Sequence, residues 1–269
     1  MRIDHALVER LERSAAEVSI DNVEASRRLD PSSPSVVERL GNGALVASGP
    51  DRYVNRAIGI TIGELTPGDV DAVERFYAGR GLDPMIELSS WAPATTVAVL
   101  RAGGYAVEWF RSMFATAAGP TTVPDDGACR ISDVTDDLVA GWLEVLAIGN
   151  GIDDPHRRTI SDEHALANRI ATGVTNFVAL DAASGAVIGC GSTQIIDGIA
   201  WVGGAATLPD ARGRGIQSAL LLHRIAVAAA AGCELVAATA VTSGGSARNL
   251  GRLGFSHVQT QAVVARRRA

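Results

Sequence analysis

Arg212, Gly213, Arg214 and Gly215 stand between an apolar run, Ile199 to Ala206, and an alanine- and leucine-rich segment, Ile216 to Ala231. The run has the make-up of a buried strand and the segment that of a helix. A glycine-rich turn feeding a helix presents backbone N–H groups that lack intrahelical partners, and the helix dipole adds partial positive charge there. Such a turn binds phosphate without needing a particular side chain. Two flanking guanidinium groups can meet phosphate oxygens in a bidentate fork. The stretch is an anion cradle suited to a pyrophosphate.

Two patterns place glycines this way. A dinucleotide fingerprint needs a third glycine and an acidic residue about 20 positions on. Ser218 stands where that glycine would be, and Glu234 would be the acid, so the match is a near miss. The second pattern is R-x-x-G-x-G/A, with an aliphatic or Thr residue five positions before the arginine and a proline between. Thr207, Pro209, Arg212 and Gly215 fit it. Here the chain resembles the GNAT superfamily of acyl-CoA-dependent N-acyltransferases. Downstream, Glu234 to Thr239 has the character of the next strand. Ser246 to Phe255 resembles the family's closing helix, ending in Leu253, Gly254 and Phe255. Gln217 departs from the family's usual Gly or Ala, although its backbone N–H can still donate.

The resemblance implies acetyl-CoA as co-substrate and a cleft between two splayed strands that takes the cofactor's amide-bearing arm. An acceptor amine would attack the thioester carbonyl directly, with backbone N–H groups around Ala205 to Thr207 polarising it. Carried over position by position, the cofactor contacts would be Ala206, Thr207, Leu208, Arg212, Gly213, Arg214, Gly215, Ile216, Gln217, Ser218 and Asn249. Gly203 and Gly204 fit either close strand packing or close approach of backbone to cofactor.

The proton-transfer residues of many relatives have no counterpart. Trp201 to Ala205 contains no acid, and Leu250 stands where a tyrosine would donate to sulfur. Asp197 or the pair Asp153 and Asp154 could act as base, and Ser243 or Ser246 as proton donor. Turn chemistry before Pro155 and helix capping are the competing explanations for these residues. His223 falls on the helix after the cradle, and His156 beside Arg157 and Arg158 could line an acceptor pocket. No His, Cys or Asp group has metal-ligand spacing, and no G-x-S-x-G is present.

The chain has 269 residues, 47% of them hydrophobic and 20% charged, which is globular. A net charge of −6 favours neither nucleic acid nor an anionic membrane. Every basic side chain other than histidine is arginine, so self-acylation on lysine is excluded. Cys129, Cys190 and Cys233 are few and widely spaced, as thiols in a reducing compartment are. With no signal-peptide core in the first ten residues and no apolar stretch long enough for a bilayer, a cytoplasmic protein is expected. Its partners would be acetyl-CoA and an amine, and a homodimer is open.

Periodicity and breakers place the elements. Helices are expected over Asp4 to Val18, Pro67 to Ala78 with Thr66 as cap, Ala94 to Ala102, Asp136 to Leu146 and Ser161 to Ile170. Strands are expected at Ala44–Ala47, Ala57–Ile60, Pro84–Leu88, Val107–Phe114, Ala128–Ser132, Phe177–Leu180, Ala186–Gly189 and Ile199–Val202. Ala115 to Gly127 is a linker. Residues Gly81 to Tyr105 and Gly232 to Phe255 share an order of glycine, strand, polar loop, helix, glycine and aromatic. The halves look like copies. The counterpart of the cradle, Thr61 to Thr66, has no arginine and carries Glu64. The expected fold is α/β (α+β): two GNAT-like mixed sheets flanked by helices, a degenerate domain over 1–118 and an acetyltransferase domain over 125–269. The C-terminal copy would hold the splayed-strand CoA cleft. Two other functional classes stay open: a CoA-binding sensor with little catalysis, and a nucleotide-binding oxidoreductase. The strand meander before the cradle weakens the second, since a Rossmann unit alternates strand and helix.

Overall fold

A computed structural model describes residues 1–122 and 129–266. The end of the expected linker and Ala128 lie outside them. The chain forms two compact units, Met1–Ala115 with Thr239–Ala269, and Thr116–Ala238. The last segment, Thr239–Ala269, is thus grouped with the first unit.

The first unit opens on α1 (His5–Leu29), capped by the Asp4 side chain, which accepts from the Leu7 N–H. The helix runs eleven residues past the expected end at Val18. Beyond Val18, Ser19, Asn22 and Ser26 donate to the carbonyls of Ala15, Val18 and Asn22 one turn back. That local bonding lets short polar residues stay helical. Leu11, Ile20 and Val23 face the core. Then come β1 (Val36–Leu40), β2 (Gly43–Ala47), β3 (Arg56–Ile58), α2 (Pro67–Ala78), β4 (Met85–Leu88), α3 (Ala94–Ala102) and β5 (Ala106–Ala117). After the second unit the chain adds α7 (Gly245–Arg252) and β11 (Ser256–Ala265). Within this unit β3 and β4 pair in parallel, and β11 lies between β4 and β5 and is antiparallel to both.

Helices α3 and α7 end alike. Tyr105 N–H bonds the Leu100 carbonyl and Phe255 N–H the Leu250 carbonyl, each at 3.1 Å, after Gly104 and Gly254 at φ +79° and +85°. A glycine in the left-handed region followed by a bond back over five residues is a Schellman end. The repeat seen in sequence is thus the same local structure twice.

The core of this unit also holds a charged network. Glu87 accepts from Arg56 and Arg111, and Gln261 Nε2 reaches both Glu12 (2.9 Å) and Glu87 (3.3 Å). Gln259 donates to Glu12 at 2.6 Å. All six side chains are buried or nearly so.

The second unit begins with β6 (Cys129–Asp133) and a 3-10 turn at Asp136–Leu138 that delays α4 to Val139–Gly149. α5 (Pro155–Arg169) starts six residues before the expected cap Ser161, because Asp154 accepts from Arg157 N–H and Pro155 takes the first helical position. β7 (Val174–Asp181), β8 (Val187–Ile196) and β9 (Ile199–Thr207) form an antiparallel meander. α6 (Ile216–Ala230) crosses over to β10 (Leu235–Val241), which is parallel to β9. Alternation along β7 sends Val178 and Leu180 toward α4 and α5, and Phe177 and Ala179 toward α6.

Candidate functional site

β9 carries the feature that shapes the site. Its register with β8 pairs Ser192 with Gly203 and Cys190 with Ala206, so β9 has one residue more over this interval. That is a β-bulge, and Gly204 sits in it at φ +54°. A Cβ on Gly204 would come within 2.8 Å of Ser192 Oγ, and the left-handed conformation is one that glycine adopts without strain. On the other edge, pairing with β10 is confined to Ile199–Trp201 against Leu235–Ala237 among the described residues. Gly203, Gly204 and Ala205 are exposed between the buried runs that flank them. The glycine pair serves a bulge and an open edge at once.

At the end of β9 the chain turns through Pro209–Ala211 and reaches α6 with Gly213 and Gly215 at φ +78° and +77°. Gly215 is the N-cap of α6 and no side chain caps that end. The first-turn N–H groups of Ile216 and Gln217 have no partner within the helix, and the dipole makes the spot electropositive. Arg212 to Gly215 are exposed, and nothing lies within 4 Å of the space a Gly213 side chain would take. These residues fit a pyrophosphate. Arg212 Nη2 donates to the Gly149 carbonyl at 3.0 Å. Arg214 Nη2 meets Asp181 Oδ2 at 2.8 Å, and that contact with the Ser184 bonds holds the Asp181 carboxyl down at about 2. The Gln217 side chain turns back onto β9, donating to the Ala206 carbonyl (2.6 Å) and to Thr207 Oγ1 (2.9 Å). Gly149, the last residue of α4, packs on the same two residues; a Cβ there would sit 2.9 Å from Thr207 N.

The counterpart in the first unit is built differently. Thr66 and Asp69 form a reciprocal capping box on α2, so its opening turn already holds a carboxylate. Thr61 Oγ1 donates to the Glu87 carbonyl and accepts from Ser89 N–H, both at 2.9 Å, and so bridges the gap beyond the single β3–β4 pair. The adjoining recess of about 180 Å³ is lined by Glu64 and Asp69. Carboxylates and a stitched gap suit neither phosphate nor an inserted cofactor arm.

The remaining sequence candidates divide between the units. Ala206, Thr207, Leu208 and Arg212 to Ser218 come together in the second unit; Ser243, Ser246 and Asn249 belong to the first. Asp197 and Gly198, at φ +51° and +71°, are the two-residue turn of the β8–β9 hairpin, which by itself calls for Asp-Gly. β9 separates Asp197 from the cradle by nine residues, roughly 30 Å of strand. Asp154 caps α5. Ser243 adopts φ +65° and its carbonyl accepts from Arg248, while α7 is capped by no side chain, Ser246 included. Asn249 Oδ1 accepts from Arg252. Leu250 is buried. His223 stacks edge-on against Phe177, and its burial lowers its basicity. Gly149 was not legible as a site residue, because a glycine at a helix end carries no motif.

Among the described residues no helix is long and apolar enough to cross a membrane. No curated protein matches the sequence. In fold, the chain is similar to a GCN5-related N-acetyltransferase from Kribbella flavida, at 17% identity and a TM-score of 0.65 over 93% of this chain and 96% of that one. It is similar to a tandem GNAT protein from the clavulanic acid biosynthesis pathway, solved without AcCoA, at 12% identity and a TM-score of 0.62 over 97% and 94%. A putative acetyltransferase of the GNAT family from Novosphingobium aromaticivorans is 18% identical, with a TM-score of 0.53 over 92% and 97%. Residues 140–255 match the model of the Acetyltransferase (GNAT) family. A cradle opening α6, the bulged strand before it and this match together make residues 140–255 a GNAT acetyltransferase domain.

Proposed function

We propose that the protein transfers an acetyl group from acetyl-CoA to the amine of a small molecule or peptide by direct attack. The observation that carries the reading is the uncapped, double-glycine opening of α6 at the end of a strand whose exposed bulge leaves its parallel neighbour. The first-turn N–H groups and Arg212 hold the pyrophosphate. The edge of β9 at Gly203–Ala205 takes the thioester end. The amine nitrogen bonds to the carbonyl carbon, the C–S bond breaks, and the proton the amine gives up ends on the thiol. One CoA binds per chain, since the α2 opening is occupied by Asp69 and the gap beside it by Thr61.

Calorimetric titration with CoA tests this. The expected stoichiometry is one, and Arg212→Ala weakens binding by about 1.5–3 kcal/mol, the scale of a charge-assisted hydrogen bond. Unchanged affinity, or two equivalent sites, overturns the assignment. A second reading, a CoA sensor with little catalysis, is favoured by the acid-free β9 and by buried Leu250. Thioester consumption with a panel of amines separates the two, because a sensor binds CoA and consumes none.

A further inference from the structure

Arg224 enters the core of the second unit from α6 and is 3% exposed. No ion pair to it is found among the described residues. Its guanidinium is spent on carbonyls instead: Nε donates to Leu220 O (3.1 Å), and Nη1 to Ser192 O (3.2 Å) and Gly203 O (3.1 Å). Ser192 and Gly203 are the pair at which the β9 bulge begins. Gly191 makes the room; a Cβ there would lie 2.8 Å from the guanidinium carbon. A buried cation without a carboxylate is costly, and here burial lowers the Arg224 pKa to about 10. A core that only needed filling would hold an apolar side chain at less cost. Of the three carbonyls that receive the charge, the one in β9 belongs to the peptide group that enters the bulge.

That peptide joins Gly203 to Gly204. A trans peptide directs its C=O and N–H in opposite senses. Arg224 holds the Gly203 carbonyl, so the Gly204 N–H of the same peptide points away from that guanidinium, and Gly204 itself is exposed. A cationic donor on the carbonyl polarises the peptide and strengthens the N–H as a donor.

We propose that Arg224 is a positioning residue that fixes and polarises the Gly203–Gly204 peptide, so that the Gly204 N–H is the donor to the thioester carbonyl oxygen. The proposal rests on the acyl-CoA reading of the same cleft. It moves the expected donor from Ala205–Thr207 to the bulge itself, and it assigns a helix residue that touches no substrate a part in the chemistry.

The test uses the infrared carbonyl band of acetyl-CoA labelled with carbon-13 at the thioester, bound to the full chain. In the wild type the band shifts to lower frequency than in water-free reference solvent, as a hydrogen-bonded carbonyl does. In Arg224→Met the shift falls by at least half, while CoA affinity stays within about twofold, because the phosphate donors are elsewhere. Turnover falls at saturating acetyl-CoA by more than tenfold, short of the roughly 100-fold or greater loss of a whole oxyanion donor, with little change in KM. Gly191→Ala keeps the arginine but crowds its guanidinium, and shows the same loss of shift; it carries the comparison should the methionine variant fail to fold. A wild-type band position in either folded variant overturns the role of Arg224. Absence of CoA binding by the wild type would instead overturn the function proposed for the cleft.

Discussion

At the scale of single residues the cradle contains an opposing charge. Asp181 pairs with Arg214 and stays ionised well into acid, because Arg214 and the Ser184 bonds stabilise the carboxylate. Its other oxygen, Oδ1, accepts from Ala183 and Ser184 and shapes the turn after β7. Asp181→Asn keeps an acceptor for that turn and removes a negative charge beside the phosphate donors. CoA should bind a few-fold more tightly at low salt, and titrations at high salt should show the gain gone, since exposed charges are screened. Weaker binding would mean that Asp181 holds Arg214 in its working position. Arg212, Gly213 and Gly215 were legible from sequence because backbone chemistry demands glycine and arginine at that spacing. Arg224 was not, since its meaning depends on which carbonyls lie opposite it.

Among the elements, the link between α6 and β9 depends on Gln217, whose amide bonds the Ala206 carbonyl and the Thr207 hydroxyl. Gln217 departs from the Gly or Ala of the family resemblance, and its side chain faces the strand and leaves the backbone N–H to the helix opening. Gln217→Ala should lower stability by about 1–2 kcal/mol, the net worth of one or two hydrogen bonds, measured by chemical denaturation. CoA affinity should stay within about twofold; a parallel fall would assign the side chain to the ligand. Elements with strong caps were readable: α2 begins at Pro67 as Thr66 and Pro67 imply. α5 was misplaced because two capping signals, Asp154 before Pro155 and Ser161, compete and the earlier one wins. β11 was not foreseen, as its buried Gln259 and Gln261 break the apolar pattern that marks a strand.

Over the whole molecule, stability should depend on pH through the first unit. Glu12 is buried beside Glu87, and burial first, then that neighbouring charge, raises its pKa from 4.5 to about 7. The folded state therefore holds a proton that the unfolded chain gives up, so stability is fullest below about 4.5 and declines as pH rises through about 7. Glu12→Gln mimics the protonated acid. It should raise the melting temperature at pH 8 and change it little at pH 4.5; an equal effect at both values would mean that Glu12 does not titrate in this range. The two-copy plan was legible from the repeat of glycine, helix and aromatic, whereas the grouping of 239–269 with the first unit depends on pairings between residues distant in sequence. That pairing has a consequence for synthesis on the ribosome. β4 and β5 are made early but meet only through β11, whose first residue, Ser256, lies 168 positions after Leu88. At ~5–20 residues per second the nascent first unit waits roughly ten to thirty seconds with a gap in its sheet. The contiguous second unit, Thr116–Ala238, emerges entirely within that interval. During translation the exposed edges of β4 and β5 are the places where a chaperone is needed and where a prematurely terminated chain aggregates.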